Sequence, residues 1–272
     1  MIFVITLLVA GFFVGLLGGL LGLGGGFIMV PLLTLFFKYP VHISVATSLI
    51  TIVATSSNIS GVNIISGHTN IRYGLFLETT TVVSAIAGSL ISVSLNEKIV
   101  MIIFSIVLIA IAALYYFRRN VSDEYIEDKN LSSFFSSSFY DVNMRKYINY
   151  RPSKVVITGG ISAFAGLLSG LLGIGGGVIK VPAMNMLSKL PIKAATATSN
   201  FMIGVTAAAG SIVYLNFNLI DPLVTALMIV GVTFGSKVAA KKFKSIQDKK
   251  VKMVFMIFLI VVAIQMFIKG IV

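Results

Sequence analysis

Cysteine is absent from the 272 residues, which excludes disulfides and thiolate metal sites and leaves the redox compartment unread. Charge is scarce as well: Asp, Glu, Lys and Arg make up 11% of the chain, against roughly 25% in soluble domains. So few charges cannot clothe a globular surface. There are only two histidines, His42 and His68, with no HExxH spacing and no carboxylate pair beside them, which argues against a metal site. No nucleophile–base constellation is visible, so an enzyme is not expected. Met1 to Ala10 is apolar and lacks the basic stretch that opens a signal peptide, so it reads as a first membrane segment.

What the chain does have is hydrophobicity. Apolar residues make up 57% of it and its mean hydropathy is +1.01. Several runs are long enough to cross a hydrocarbon core of ~30 Å. The sequence therefore describes an integral membrane protein whose first partner is the lipid bilayer. The net charge is +12, which basic cytoplasmic loops explain, with an anion-attracting field as the sharper alternative. No nucleic-acid partner is expected, because the basic residues sit beside membrane segments rather than on a soluble domain.

The chain also repeats itself. Gly15 to Pro31 reads GLLGGLLGLGGGFIMVP, and Gly166 to Pro182 reads GLLSGLLGIGGGVIKVP, 151 positions later. The same offset carries Pro40, Ala46, Thr47 and Ser48 onto Pro191, Ala197, Thr198 and Ser199. A constant offset over such a length marks a duplicated architecture. Residues 1–117 form the first membrane repeat, 118–152 a cytoplasmic linker, and 153–272 the second repeat.

Apolar segments fall near 2–21, 27–37, 44–66, 73–95 and 99–117, then near 154–172, 178–188, 194–216, 222–240 and 251–268. The second and seventh are half-length, each behind a triple glycine, where three weak helix formers in succession favour a break. If each break turns the chain back, 17 of the 21 Lys and Arg fall on one side, Arg72, Lys189, Lys193 and the linker cations among them. If the chain runs straight through, the same residues divide 11 to 9. The positive-inside rule prefers the reversal. Each repeat then crosses an odd number of times, the second copy is inverted, and both termini face outside. The expected fold is an all-α polytopic membrane protein of two inverted-topology repeats, about five segments each, with half-length or re-entrant helices. The linker, with Asp123, Glu124, Glu127, Asp128 and an SSFFSSSF run, reads as a connector whose aromatic residues rest at the membrane interface.

Candidate site residues follow from the breaks. Gly24, Gly25 and Gly26, with Gly175, Gly176 and Gly177, are the strongest, preceded by Gly22 and Gly173. Non-helical backbone at membrane depth survives only where protein or a water-filled cavity satisfies it, and a helix starting there offers free N–H groups to an anion. Close helix packing is the alternative use of such glycines. Thr47, Ser48, Thr198, Ser199 and Asn200 supply hydroxyl and amide groups for an oxyanion; helix capping or interhelical bonding is their alternative. Lys180 lies inside a segment as an anion counter-charge or a snorkelling lysine. Glu78 reads as interfacial, near Arg72, with proton coupling as its other reading. No cofactor is expected, since no strand precedes the G-x-G and no acidic ribose partner follows it.

With GLLGLGGGFIMVP and GLLGIGGGVIKVP in place, and Ala-Thr-Ser after each at one spacing, the chain resembles the TauE/SafE family of sulfite and organosulfonate transporters. The resemblance covers both halves, leaving out the 118–152 linker. It implies movement of small sulfur-containing anions, sulfite or organosulfonates, across the cytoplasmic membrane. On that expectation the chain is a secondary transporter working by alternating access. An anion channel, or a carrier of other small organic anions, is the rival reading. A membrane-embedded enzyme lacks its constellation, and a receptor or scaffold lacks a soluble domain. Assembly with further copies of the chain stays open.

Overall fold

The computed structural model describes residues 1–21, 24–117, 134–141, 144–242 and 249–271. Ten helices occur among them: α1 Ile2–Leu21, α2 Gly26–Pro31, α3 Val41–Ile65, α4 Ile71–Ser94, α5 Glu97–Phe117, α6 Val155–Leu172, α7 Gly177–Met186, α8 Ile192–Asn216, α9 Pro222–Lys242 and α10 Lys249–Ile271. A π-helical turn, Leu32–Phe36, prolongs α2 behind Pro31, whose missing N–H loosens the ordinary ladder. Seven helices (α1, α3, α4, α5, α6, α8 and α9) are long and apolar enough to cross a membrane. The protein is a mostly helical, polytopic membrane protein.

Helices α3 and α8 have the same length and lie 151 positions apart; α4 and α9 begin at the same offset. Packing follows that correspondence. Helix α1 packs on α9 and α4 on α6, α3 crosses α8, and α5 lies on α10. Small residues permit the closest approaches. A Cβ at Gly235 would sit 2.0 Å from the Phe12 carbonyl, and one at Gly170 would sit 2.0 Å from the Ala85 carbonyl. Without glycine these backbones could not touch, which is how helices associate where water supplies no hydrophobic drive.

The chain doubles back at both breaks. Gly25 packs beside Val14 and Gly18, and Gly176 beside Ala165 and Ser169. A continuous helix would hold residues eleven apart ~16 Å from each other. The open ends of each unit meet too. The rings of Phe3 and Phe37 lie 6.1 Å apart, and the Ser153 amide donates to the Ser188 carbonyl at 3.0 Å.

The linker holds an element the sequence reading missed. Strands β1 (Ser137–Asp141) and β2 (Lys146–Tyr150) form an antiparallel hairpin with Phe139 opposite Ile148. Phe139, Ile148 and Tyr150 are buried in one cluster with Tyr73, Leu77, Met184 and Leu190. These aromatic residues therefore seal protein against protein rather than resting in the membrane interface. Phe134, Tyr140 and Tyr147 stay exposed. Lys193 clamps the hairpin to α8 through Asp141 at 2.7 Å. Asp123, Glu124, Glu127 and Asp128 lie outside the described residues, as does Gly22.

Candidate functional site

Both breaks have the same backbone. Gly24 and Gly25 take φ of 79° and 81°, and Gly175 and Gly176 take 79° and 67°. This left-handed region suits glycine and penalises any residue with a Cβ, so the triple glycine is what allows the chain to reverse within a few residues. Gly25 and Gly176 then cap α2 and α7. In α7 the first amides bonded within the helix are those of Ile179 and Lys180, both to the Gly176 carbonyl at 3.1 and 3.0 Å. The helix does not use the amides of Gly177 and Val178. Gly26 and Gly177 are the first residues of the two helices, and both are buried.

The two breaks meet each other. A Cβ on Gly26 would lie 2.1 Å from the Gly173 carbonyl oxygen and 2.8 Å from Ser48 Oγ. Ser48 donates to that carbonyl at 2.6 Å. One turn earlier, the Gly170 carbonyl accepts from Tyr214 at 2.9 Å and from Ser89 at 3.2 Å. Carbonyls freed where α6 ends are thus satisfied by side chains from α3, α4 and α8, which is what broken backbone in a membrane protein requires.

The hydroxyl residues divide. They are not helix caps: α3 and α8 are capped by Pro40 and Pro191, six or more residues before the Thr-Ser pairs. Thr47 shares a hydrogen bond with Thr225 at 3.2 Å, and Thr198 accepts the Asn70 amide at 3.0 Å. Both threonines serve interhelical contacts. Ser199 Oγ and both polar atoms of the Asn200 amide are buried without a hydrogen-bond partner among the described residues. Asn200 is 1% exposed, and Ser56 donates to its backbone carbonyl at 2.5 Å, so the helix is held there while the side-chain amide lacks a hydrogen bond among the described residues. A buried amide left so is costly and calls for a partner.

Lys180 does not snorkel. It is 0% exposed, and its ammonium donates to Thr206 Oγ1 at 2.8 Å and to Glu78 Oε2 at 3.4 Å. Glu78 is 3% exposed and in close hydrogen-bond contact with the Thr206 hydroxyl. The interfacial reading of Glu78 is therefore corrected. Arg72 is six residues away, on a largely different helix face, and lies over the Phe134 ring at 5.7 Å. Helices α4, α7 and α8 thus contribute one residue each to a buried charged cluster. Thr206 escaped the sequence reading; one acid and one base, each alone in an apolar run, were the available signal. A cleft of about 700 Å³ lined by Leu35, Phe36, Gln265, Ile268 and Lys269 opens at the other end of the α2 segment, not at the breaks.

Comparison with known proteins finds a family and relatives along nearly the whole chain. The family described as sulfite exporter TauE/SafE matches residues 7–266. YunE of Bacillus subtilis, named a probable membrane transporter protein, is 29% identical over 274 residues and 98% of each chain. A probable membrane transporter protein of Methanocaldococcus jannaschii is 30% identical, covering 90% of this chain and 88% of its own. YdhB of Bacillus subtilis, named likewise, is 27% identical over 88% of this chain and 90% of its own. No solved structure matches. The match across nearly the whole chain, glycine breaks included, places this protein in the TauE/SafE sulfite exporter family.

Proposed function

We propose that the protein is a secondary transporter that carries small sulfur-containing anions, sulfite or short organosulfonates, across the cytoplasmic membrane by alternating access. The observation that carries this reading is the pair of buried groups without a partner among the described residues, Ser199 Oγ and the Asn200 amide, on α8, the second helix after the second glycine break. Hydroxyl and amide donors bind an oxyanion without a permanent charge of their own in the membrane. The α7 N-terminal amides, Gly24 to Gly26, Gly175 to Gly177, Thr47, Ser48 and Thr198 complete the wall, with Lys180 as its cation.

The architecture in this reading is two inverted repeats, 1–117 and 153–272, with the residue 118–152 linker on the cytoplasmic side and both termini outside. The reversals at the breaks support it, as does the ion pair of Lys193 with Asp141, which keeps the start of α8 at the linker's end of the molecule. The charge distribution then gives the orientation. Rocking of one repeat against the other exposes a site that lies between them.

The test is counterflow in proteoliposomes loaded with unlabelled sulfite or isethionate. Labelled substrate should accumulate transiently and saturably. Unitary currents across a planar bilayer would make the protein a channel, and exchange of carboxylates but not sulfur anions would overturn the substrate class.

A further inference from the structure

We propose that Glu78 is the proton-binding group of the transport cycle, and that protonating it releases Lys180 to pair with the substrate anion. This rests on the anion-carrier reading above and adds its coupling ion.

Shifted by 151 positions, Glu78, Lys180 and Thr206 fall on Ile229, Met29 and Thr55. The threonine is kept, and it is used alike in both halves: Thr55 donates to the Thr51 carbonyl at 2.9 Å and Thr206 to the Met202 carbonyl at 3.0 Å. The charges are not kept. The positions that correspond to Glu78 and Lys180, Ile229 and Met29, are apolar, so the repeated architecture does not itself require an acid and a base here. Burying a carboxylate and an ammonium carries a desolvation cost that their attraction repays only in good geometry. A lysine–carboxylate separation of 3.4 Å is a loose pairing for such burial. A charge pair that folding does not demand, inside a membrane, points to a working role.

Charge balance says which role. With Glu78 ionised and Lys180 protonated the cluster is neutral. An anion bound at Lys180 would leave it at minus one, and a proton taken alone would leave it at plus one. When a water-borne proton forms the O–H bond on Glu78 and RSO₃⁻ takes the place of the carboxylate at Lys180, the cluster is neutral again. Only the empty and doubly loaded forms are then cheap to enclose, which couples one proton to one anion. Thr206 serves both forms, since its hydroxyl accepts from Lys180 and turns its proton to whichever oxygen is in reach.

Among the described residues of the helices packed around the pair, no other titratable group competes. Helix α6, packed on α4, has none along Val155–Leu172, and α7 has only Lys180. On α8, Lys193 is paired with Asp141 and Tyr214 with the Gly170 carbonyl. On α4 itself, Arg72 lies over Phe134 and Tyr73 bonds Ser188 at 2.5 Å.

The probe is isethionate, whose sulfonate carries no proton near neutral pH, added to purified protein in weakly buffered detergent with a pH indicator. The wild type should take up about one proton per anion bound, and its affinity should fall up to about tenfold per pH unit once Glu78 ionises in the empty carrier. Glu78→Gln should take up none and bind with a pH-independent affinity. Lys180→Met should weaken binding at least tenfold. Glu78→Ile with Lys180→Met copies the pair at Ile229 and Met29, and should fold with an unchanged or raised Tm yet bind no isethionate. Anion binding by the wild type without proton uptake overturns the coupling and leaves the carrier standing. So does wild-type proton uptake in Glu78→Gln, or wild-type affinity in Lys180→Met. Failure of the wild type to bind either isethionate or sulfite overturns the carrier reading and the coupling with it.

Discussion

The Ser153 amide donates to the Ser188 carbonyl at 3.0 Å, and the Ser153 hydroxyl reaches the Leu187 carbonyl at 2.9 Å. These two bonds tie the chain two residues before α6 to the residues just after α7, although a long apolar stretch lies between. The unit therefore leaves from and returns to one place. The first half closes in the same way through Phe3 and Phe37. Reversal at the glycines sets which loops share an end of the molecule, and with it the parity on which the charge argument depends.

That parity predicts labelling. The native chain has no cysteine, so single substitutions report cleanly. Lys98→Cys in the first turn of α5 and Asn218→Cys between α8 and α9 should react with an impermeant thiol reagent in intact cells. Ser66→Cys after α3 and Arg145→Cys in the hairpin turn should react only after permeabilisation. All four positions are exposed, so accessibility within the protein does not confuse the result. Labelling of Arg145→Cys in intact cells would overturn the orientation.

Much of this was written locally. Glycine triplets, proline spacing and apolar run lengths each act over a few residues, and helices α3 and α8 begin within three residues of where hydropathy placed them. The partners of side chains were not legible. Glu78 and Lys180 are 102 positions apart, and only the docking of α4 on α6 and α8 brings them together. Proximity in sequence suggested Arg72 instead, which helix geometry turns away. The hairpin escaped for another reason. Its strands are five residues each, set in a serine-rich polar stretch whose composition resembles a connector, and its stability comes from Tyr73 and Leu77 beneath it.

Alkaline pH should loosen that hairpin. Burial pushes the Tyr150 phenol up to about 12, against an ordinary value near 10. The neutral phenol is favoured in the docked state, so its contribution is complete below pH ~10 and is lost as pH rises towards 12. Two units correspond to about 2–3 kcal/mol. Tm measured from pH 8 to 12 should therefore fall more steeply for wild type than for Tyr150→Phe, other ionisations cancelling in the difference. Parallel curves would remove Tyr150 as an anchor.

Contact between the breaks makes Gly26 intolerant of any side chain. A Cβ there would stand 2.1 Å from the Gly173 carbonyl oxygen, and backbone cannot swing aside as a side chain can. Gly26→Ala should cost about 1–3 kcal/mol by overpacking, lower Tm and reduce counterflow, because the breaks must part. Gly61→Ala is the control. Nothing lies within 4 Å of a Cβ there, inside α3 near its C-terminal end, so alanine should leave Tm unchanged or raise it by helix propensity. Equal behaviour of the two variants would reduce Gly26 to ordinary packing.

Ser48 and Asn200 separate structural from binding roles. Ser48 satisfies the Gly173 carbonyl at 2.6 Å, so Ser48→Ala strands a buried acceptor and should cost about 1–3 kcal/mol. The Asn200 amide has no partner among the described residues, and neither has Ser199 Oγ. Removing an unsatisfied polar group removes its burial penalty, so Ser199→Ala and Asn200→Ala should hold stability within about 1 kcal/mol of wild type and leave Tm little changed, the lost amide volume offsetting part of the gain. Their effect should fall on substrate instead. Each lost hydrogen bond to an anion is worth about 1.5–3 kcal/mol, or roughly a tenfold to hundredfold rise in KM for sulfite or isethionate counterflow. Tm and KM measured on the three variants should thus move in opposite patterns. A large Tm loss with unchanged KM in Asn200→Ala would make the amide a packing element and take the site away from α8.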